Sequence, residues 1–480
     1  MSILVIDVGT SGVRAAIVRP DATIAHERHR EVLPSSPAPG LVEFDADQLA
    51  DASLAVAREV LAAGGPVAAV GVTNQRASTI VWDRATGVPV GPGIGWQDLR
   101  TVGDCLVLQG EGLRLAPNLS ATKICHLLDA HDGERTRDLC FGTVDTWIVW
   151  KLTEGRAHVI DGSNAAVTGL VNRRGTAWDD TTLEKLRIPA ACLPTIVDSS
   201  GPIAEATALD GAPPITGIAG DQQASLIGQG CVEPGPAKIT FGTGGMLDVV
   251  VGPERPSFDT RGHGGTFPIV AWRQGGEPMW GLEAIMLSAG SNVEWLRDDL
   301  GIIATAAESH DVAAQCDDTD GVMFVPALLG LGTPFWDYGA RGTLLGLTRG
   351  SGRPQIVRAV LEGIAQRGAD LVDAAEKDGT PPIPELRIDG GMSRNPTFVQ
   401  ALADATQRRV EVSPVVEATT LGAAFFAGLA IGTWNSWDDI GATWRPEQVI
   451  EPKRVLDRDR WADAVERAKG WFGDLSTLDF

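Results

Sequence analysis

Asp221 stands between a glycine and two glutamines in GDQQASLIGQG (220–230), at the head of a run whose apolar residues fall at helical spacing. A carboxylate in that place has two uses. It caps the free N–H groups of a helix start, or it takes a proton from a bound hydroxyl while the helix end keeps it ionised. Three glycine-rich stretches bear on the choice. In DVGTSGVR (7–14) the glycines turn backbone N–H groups towards an anion, and Thr10 and Ser11 add hydroxyl donors. Arg14 has the reach to meet a terminal phosphate, and Asp7 has the chemistry to hold Mg²⁺ directly or through water. TFGTGGM (240–246) repeats the Gly-Thr turn, with Thr243 as its hydroxyl. In IDGGMSRNP (388–396) a strand ends in paired glycines, so the backbone at Gly391 suits a flat nucleoside and Asn395 a polar contact. The plainer readings are a hairpin turn for the first two and an Asn cap with Pro at the first helical turn for the third. Two such turns facing each other across a cleft would grip a polyphosphate from both sides.

The surrounding elements suit that arrangement. ILVIDVGTSGVRAAIV (3–18) reads as strand, glycine turn, strand, and AKITFGTGGMLDVVVG (237–252) restarts the same pattern. Between them come a helix over 47–63, a buried strand over 67–74, a hairpin over 79–90 and the helix that follows Asp221. Further helices are predicted over 288–300, 354–377, 396–407 and within WADAVERAKGWF, with a strand over 386–391. VEPGP (232–236) supplies turn residues, which sets the expected domains at 1–236 and 237–480.

Composition narrows the function. The 480 residues exceed one compact core. With 40 basic against 62 acidic residues the formal net charge is −22, which argues against nucleic acid and anionic membranes as partners and for a small molecule. Six scattered cysteines form no metal or disulfide spacing, so a reducing, cytoplasmic setting is expected. MSILVIDVGT has no basic segment ahead of its apolar run and reads as a strand, not a signal peptide. Neither a P-loop nor a good G-x-G-x-x-G after the first strand occurs, and His26 and His29 read as surface residues.

Together these stretches resemble the FGGY carbohydrate kinases. GTLLGLTRGSGRPQIVRAVLE (342–362) is similar to the family's C-terminal signature. TNQRASTIVWDRATG (73–87), GWQDLRT (95–101), TVDTWIVWKLT (143–153) and VPALLGLGTPFWD (325–337) resemble its glycerol kinase branch rather than the ketose branch of xylulokinase. The resemblance implies a two-domain α/β actin-like ATPase (ribonuclease H-like) fold with duplicated ββ-hairpin phosphate motifs and a central cleft. It implies ATP and Mg²⁺ as cofactors and a small polyol or sugar as acceptor. Asp221 matches the general base, and Arg76, Trp96, Asp221 and Gln222 match the acceptor site. Thr10, Ser11, Gly12 and Arg14 match the first phosphate hairpin and Thr243 the second. Gly290, Gly391 and Asn395 match the adenosine site. Members of this branch often assemble as dimers or larger oligomers, so a homo-oligomer is an open alternative.

The chain departs from that branch at Ala77, Asn118 and Met246, where Glu, Tyr and another aromatic line the acceptor pocket, and also at His126 and Glu294. Losing a carboxylate that binds a hydroxyl costs roughly 1.5–3 kcal/mol. A polyol larger than glycerol is therefore expected. The alternatives are glycerol itself, a ketopentose, or a nucleotide-gated actin-like or sensor protein without kinase activity.

Overall fold

The protein is described by a computed structural model covering residues 1–415 and 417–479. Two mixed sheets organise it. The first holds β1 (Ile3–Val8), β2 (Gly12–Val18), β3 (Ile24–Glu31), β4 (Ala69–Asn74), β5 (Ser200–Glu205) and β6 (Pro214–Gly220), in the order β5-β6-β4-β1-β2-β3. The second holds β7 (Ala237–Phe241), β8 (Gly245–Gly252), β9 (Phe267–Gln274), β10 (Glu277–Met286), β11 (Glu385–Asp389), β12 (Arg409–Val412) and β13 (Gln448–Ile450), in the order β9-β10-β8-β7-β11-β12-β13. Each half repeats one plan. A leading hairpin (β1–β2, β7–β8) is antiparallel, and two further strands run parallel to its first strand in succession beside it. β1 and β4 read as near-continuous apolar runs because helices cover both faces of the sheet.

The two predicted glycine hairpins form, and the predicted strand over 67–74 is observed as Ala69–Asn74. Helices that bear on the site include α1 (Ala46–Gly64), α2 (Asp221–Gly228), α3 (Ser291–Asp298), α4 (Arg353–Lys377), α5 (Pro396–Thr406) and α6 (Ala418–Ala430), and the predicted helix within WADAVERAKGWF is observed within Arg458–Ala468. The hairpin expected over 79–90 is only partly formed. Val90 N donates to Val81 O and Asp83 N to Val88 O, but the regular partner of Ile80–Asp83 is Leu139–Gly142. The second strand of that sheet comes from a segment that proximity in sequence could not select. His26 and His29 lie exposed on the edge strand β3. Among the described residues no helix is long and apolar enough to cross a membrane.

One helix changes halves. α6 lies late in the sequence but packs on the first sheet, where Leu421, Ala423, Ala424, Phe425 and Ala427 join Ile3, Val5, Ala69 and Ala219 in one buried cluster. It also crosses α2 backbone to backbone. A Cβ built on Gly422 would sit 1.7 Å from Ala224 O, and one on Gly228 would sit 1.8 Å from Ala418 O. Only glycine permits that approach at either position. Replacing Gly422 by Ala must push the two helices apart, at a cost of about 1–3 kcal/mol or more for overpacking. We expect a lowered Tm in thermal unfolding together with reduced turnover, because α2 carries Asp221; a wild-type Tm in this variant would contradict the packing described.

Candidate active site

The site is set by strand register. β1, β4 and β6 run parallel, pairing Val8 with Asn74 and Gly220 with Asn74, so their C-terminal ends lie level. Ligands of open α/β sheets collect at such ends. The residues just beyond these ends are Thr10 and Ser11, Arg76, and Asp221. Gly220 has no side chain for a reason: a Cβ there would lie 2.7 Å from Cγ and Cδ of Arg76. Arg76 therefore lies flat across the end of β6, with its Nε 3.6 Å from Asp221 Oδ1.

Asp221 is the first residue of α2, with Gly220 in the cap position, and no side chain caps this helix. Its Oδ1 accepts from Gln222 N at 2.8 Å, and the carboxylate remains partly open. Burial lifts its pKa above the ordinary carboxylate value, while the Arg76 guanidinium and the Gln222 N–H pull it back. Asp7 pairs with Thr73 on β4 and Arg14 on β2. Burial pushes its carboxyl up to about 7, against Arg14, and the nearby negative charge of Asp221 adds to the rise.

The remaining sequence-derived candidates fall into three groups. The first phosphate hairpin is closed by Gly9 N donating to Gly12 O at 2.9 Å, with Ser11 exposed at its tip. Gly12 is held against β3, where a Cβ would meet Arg30 O at 2.6 Å. Trp96 Nε1 donates to Thr10 Oγ1 at 3.3 Å, which joins the acceptor side to the hairpin. Arg14 is engaged by carboxylates: its Nε lies 3.3 Å from Glu27 and its Nη1 contacts Glu417, just ahead of α6. In the second half, Thr243 is exposed at the hairpin tip, and the tip is fastened to the start of α3 by Ala289 N to Thr243 O (2.8 Å) and Gly290 N to Gly242 O (2.9 Å). A Cβ on Gly391 would meet nothing within 4 Å, leaving an open backbone face. Asn395 caps α5: its Oδ1 accepts from Phe398 N at 3.1 Å and its Nδ2 donates to Ser309 Oγ at 2.9 Å. A groove of about 900 Å³ opens beside this helix start, lined by His310, Ser393, Arg394, Pro396 and Thr397 among others.

Two features of the site carried no sequence signal strong enough to single them out. Lys123 is buried, and its Nζ donates to the backbone oxygens of Trp96 (3.1 Å) and Asn118 (3.4 Å), so one ammonium holds both acceptor-side segments. Burial brings its pKa down to about 7. The second feature is a row of charges on the second sheet, Lys238, Asp248 and Glu283, reaching Gln222 and Arg76. Its only trace in the sequence is a charged residue inside each of three apolar strands, AKITF, GMLDVVVG and GLEAIM.

Residues 2–228 match the N-terminal domain of the FGGY family of carbohydrate kinases, and residues 237–431 match its C-terminal domain. The chain belongs to this FGGY family. Like the rest of the family it is an ATP-dependent phosphotransferase with a hydroxyl acceptor, and its fold is that of the actin-like ATPases. The glycerol kinase of Trichlorobacter lovleyi is 44% identical over 98% of this chain and 99% of its own. That of Aromatoleum aromaticum is 41% identical over 98% of this chain and 99% of its own. Among solved structures, Plasmodium falciparum glycerol kinase with ADP superposes with a TM-score of 0.89 at 28% identity, covering 100% of this chain and 99% of that one. A sugar kinase from Brucella ovis shares the fold at a TM-score of 0.86 and 24% identity, covering 100% of both chains.

A base works ionised, so turnover falls as pH drops through its folded pKa. For this FGGY kinase the acid limb of kcat/KM should therefore lie above the range of a free carboxylate. Arg76→Ala removes a lowering influence on Asp221, while Asp7 answers to Arg14 instead. We expect that variant's acid limb to move to higher pH; a limb that stays in place would contradict the pairing.

Proposed function

We propose that the protein is a glycerol kinase, transferring the γ-phosphoryl group of ATP to a hydroxyl of glycerol in a Mg²⁺-dependent reaction. The observation that carries this is the 41–44% identity to glycerol kinases along 98–100% of the chain. It favours glycerol over the larger polyol expected from Ala77, Asn118 and Met246. Ala77 is buried with φ of 61°, and its carbonyl accepts from Ser120 Oγ (3.0 Å) and Thr79 Oγ1 (3.1 Å). Asn118 is exposed. A buried donor remains for the acceptor: Arg76 Nη1 has no hydrogen-bond partner among the described residues.

In this reading each residue has a bounded task. Trp96 and Arg76 bind and orient the polyol. Asp221 Oδ accepts the proton of the attacking hydroxyl, late in the transfer, because an alcohol is far less acidic than a carboxylic acid. Backbone N–H groups of the two hairpins, with the hydroxyls of Thr10, Ser11 and Thr243, receive phosphate oxygens. The open face at Gly391 and the start of α3 at Gly290 flank the nucleoside. The acid Asp7 suits a Mg²⁺ ion, which typically takes one or two protein carboxylates and fills its shell with water and phosphate oxygens; it would supply charge neutralisation for the transferred group. The domains 1–236 and 237–480 carry one hairpin each, and seating of one on the other keeps water from the phosphoryl group.

Replacing Asp221 by Asn should lower kcat by about 10²–10⁴-fold with ATP affinity retained, measured by coupled ADP release and by nucleotide titration. A panel of glycerol, tetritols, pentitols and ketopentoses should give glycerol the highest kcat/KM. A tetritol or ketopentose ahead of glycerol would restore the larger-acceptor reading.

A further inference from the structure

The second sheet places three charges in one line. Register pairs Lys238 on β7 with Asp248 on β8, and Asp248 with Glu283 on β10. Their side chains are 0%, 0% and 2% exposed. Charges are costly at such burial unless paired, and each of these has a counter-charge, although among the described residues the Asp248 oxygens and Glu283 Oε2 meet no well-aligned hydrogen-bond donor. Lys238 Nζ lies 2.7 Å from Asp248 as an ion pair and donates to Gln222 Oε1 (2.7 Å) and Thr240 Oγ1 (3.1 Å). Glu283 receives a side chain from the other half of the molecule: Arg76 Nη2 is 3.0 Å from its Oε1 and 2.8 Å from its Oε2.

The guanidinium of Arg76 is a rigid fork, so fixing one arm fixes the others. With Nη2 on Glu283, Nε faces Asp221 at 3.6 Å, and Nη1 is buried with no hydrogen-bond partner among the described residues. Any rotation that turned Nη1 away would strip Glu283 of its counter-charge inside the protein. Burial raises the Glu283 carboxyl, the Arg76 guanidinium lowers it, the facing Asp248 raises it again and Lys238 lowers it.

We propose that Glu283 is the positioning residue of the acceptor site: from the second half of the molecule it holds Arg76 so that Nη1 meets the acceptor hydroxyl and Nε meets Asp221, which ties acceptor binding to the seating of the two halves. This rests on the assignment of Arg76 and Asp221 to the acceptor site made above. Gln222, whose carbonyl end is held by Lys238, is braced by the same row.

The test is a double-mutant cycle on the full chain with Glu283→Ala, Glu283→Gln, Arg76→Ala and the Arg76→Ala/Glu283→Ala pair, reading KM for acceptor and for ATP separately beside kcat. A buried hydrogen bond to a charged group corresponds to about ten- to a hundredfold. Glu283→Ala should raise acceptor KM by about tenfold or more while ATP KM stays within about twofold, and Glu283→Gln, which keeps an acceptor oxygen, should recover part of the loss. The double variant should be no worse than Arg76→Ala alone, because both changes remove one interaction. Additive losses, or a parallel rise in both KM values, would overturn the proposal. If Glu283→Ala fails to fold, Glu283→Gln decides: wild-type acceptor KM overturns it and a selective rise supports it. If Arg76→Ala itself leaves acceptor KM unchanged, the acceptor-site assignment fails; if Arg76→Ala is impaired and the Glu283 variants are not, only the positioning role fails.

Discussion

The crossing of α2 and α6 is the constraint on which the site depends. Gly228 faces Ala418 and Gly422 faces Ala224 at distances that admit no side chain, so the two helices are locked in depth and rotation. Since α2 begins at Asp221, that lock sets where the carboxylate points. Gly71 and Gly217 extend the same device into the sheet, where a Cβ would meet Ala423 O at 2.4 Å and Ala427 N at 2.4 Å. Helix and sheet are thus brought together by absent side chains, and the polar residues at the strand ends inherit their positions from that fit.

Electrostatics adds a second layer on the rigid frame. Arg76 meets Asp221 within the first half and Glu283 across in the second, while Lys238 meets Asp248 within the second, so Glu283 finds its guanidinium only while both halves are in place. Such networks are weak evidence for stability, because desolvation offsets most of the attraction. Their clearer contribution is orientation. Side chains held at fixed geometry need fixed neighbours, and the row on the second sheet holds both Gln222 and Arg76.

Much of this was legible in the sequence and some was not, for physical reasons. The two glycine hairpins were readable because alternation and Gly-Thr turns are local signals, and both formed at the expected residues. Asp221 was readable as the head of a helix, although Gly220 takes the cap position. The pairing of Ile80–Asp83 with Leu139–Gly142 was not, since a strand does not announce a distant partner. Nor was the engagement of Arg14 by Glu27 and Glu417, which joins residues about four hundred positions apart. The expectation of a larger acceptor rested on single side chains such as Ala77, whereas identity along nearly the whole chain supports the alternative of glycerol itself better.

The late position of α6 has a consequence for how the protein comes into being. The cluster that closes one face of the first sheet joins Ile3 and Val5 to Phe425 and Phe426. During synthesis α2 can cover part of that face, but the part that α6 covers stays open until the chain has been made past Ala430. Long-range closure of this kind slows folding and leaves apolar surface exposed in the interval. That face is completed by a helix that the ribosome delivers nearly last.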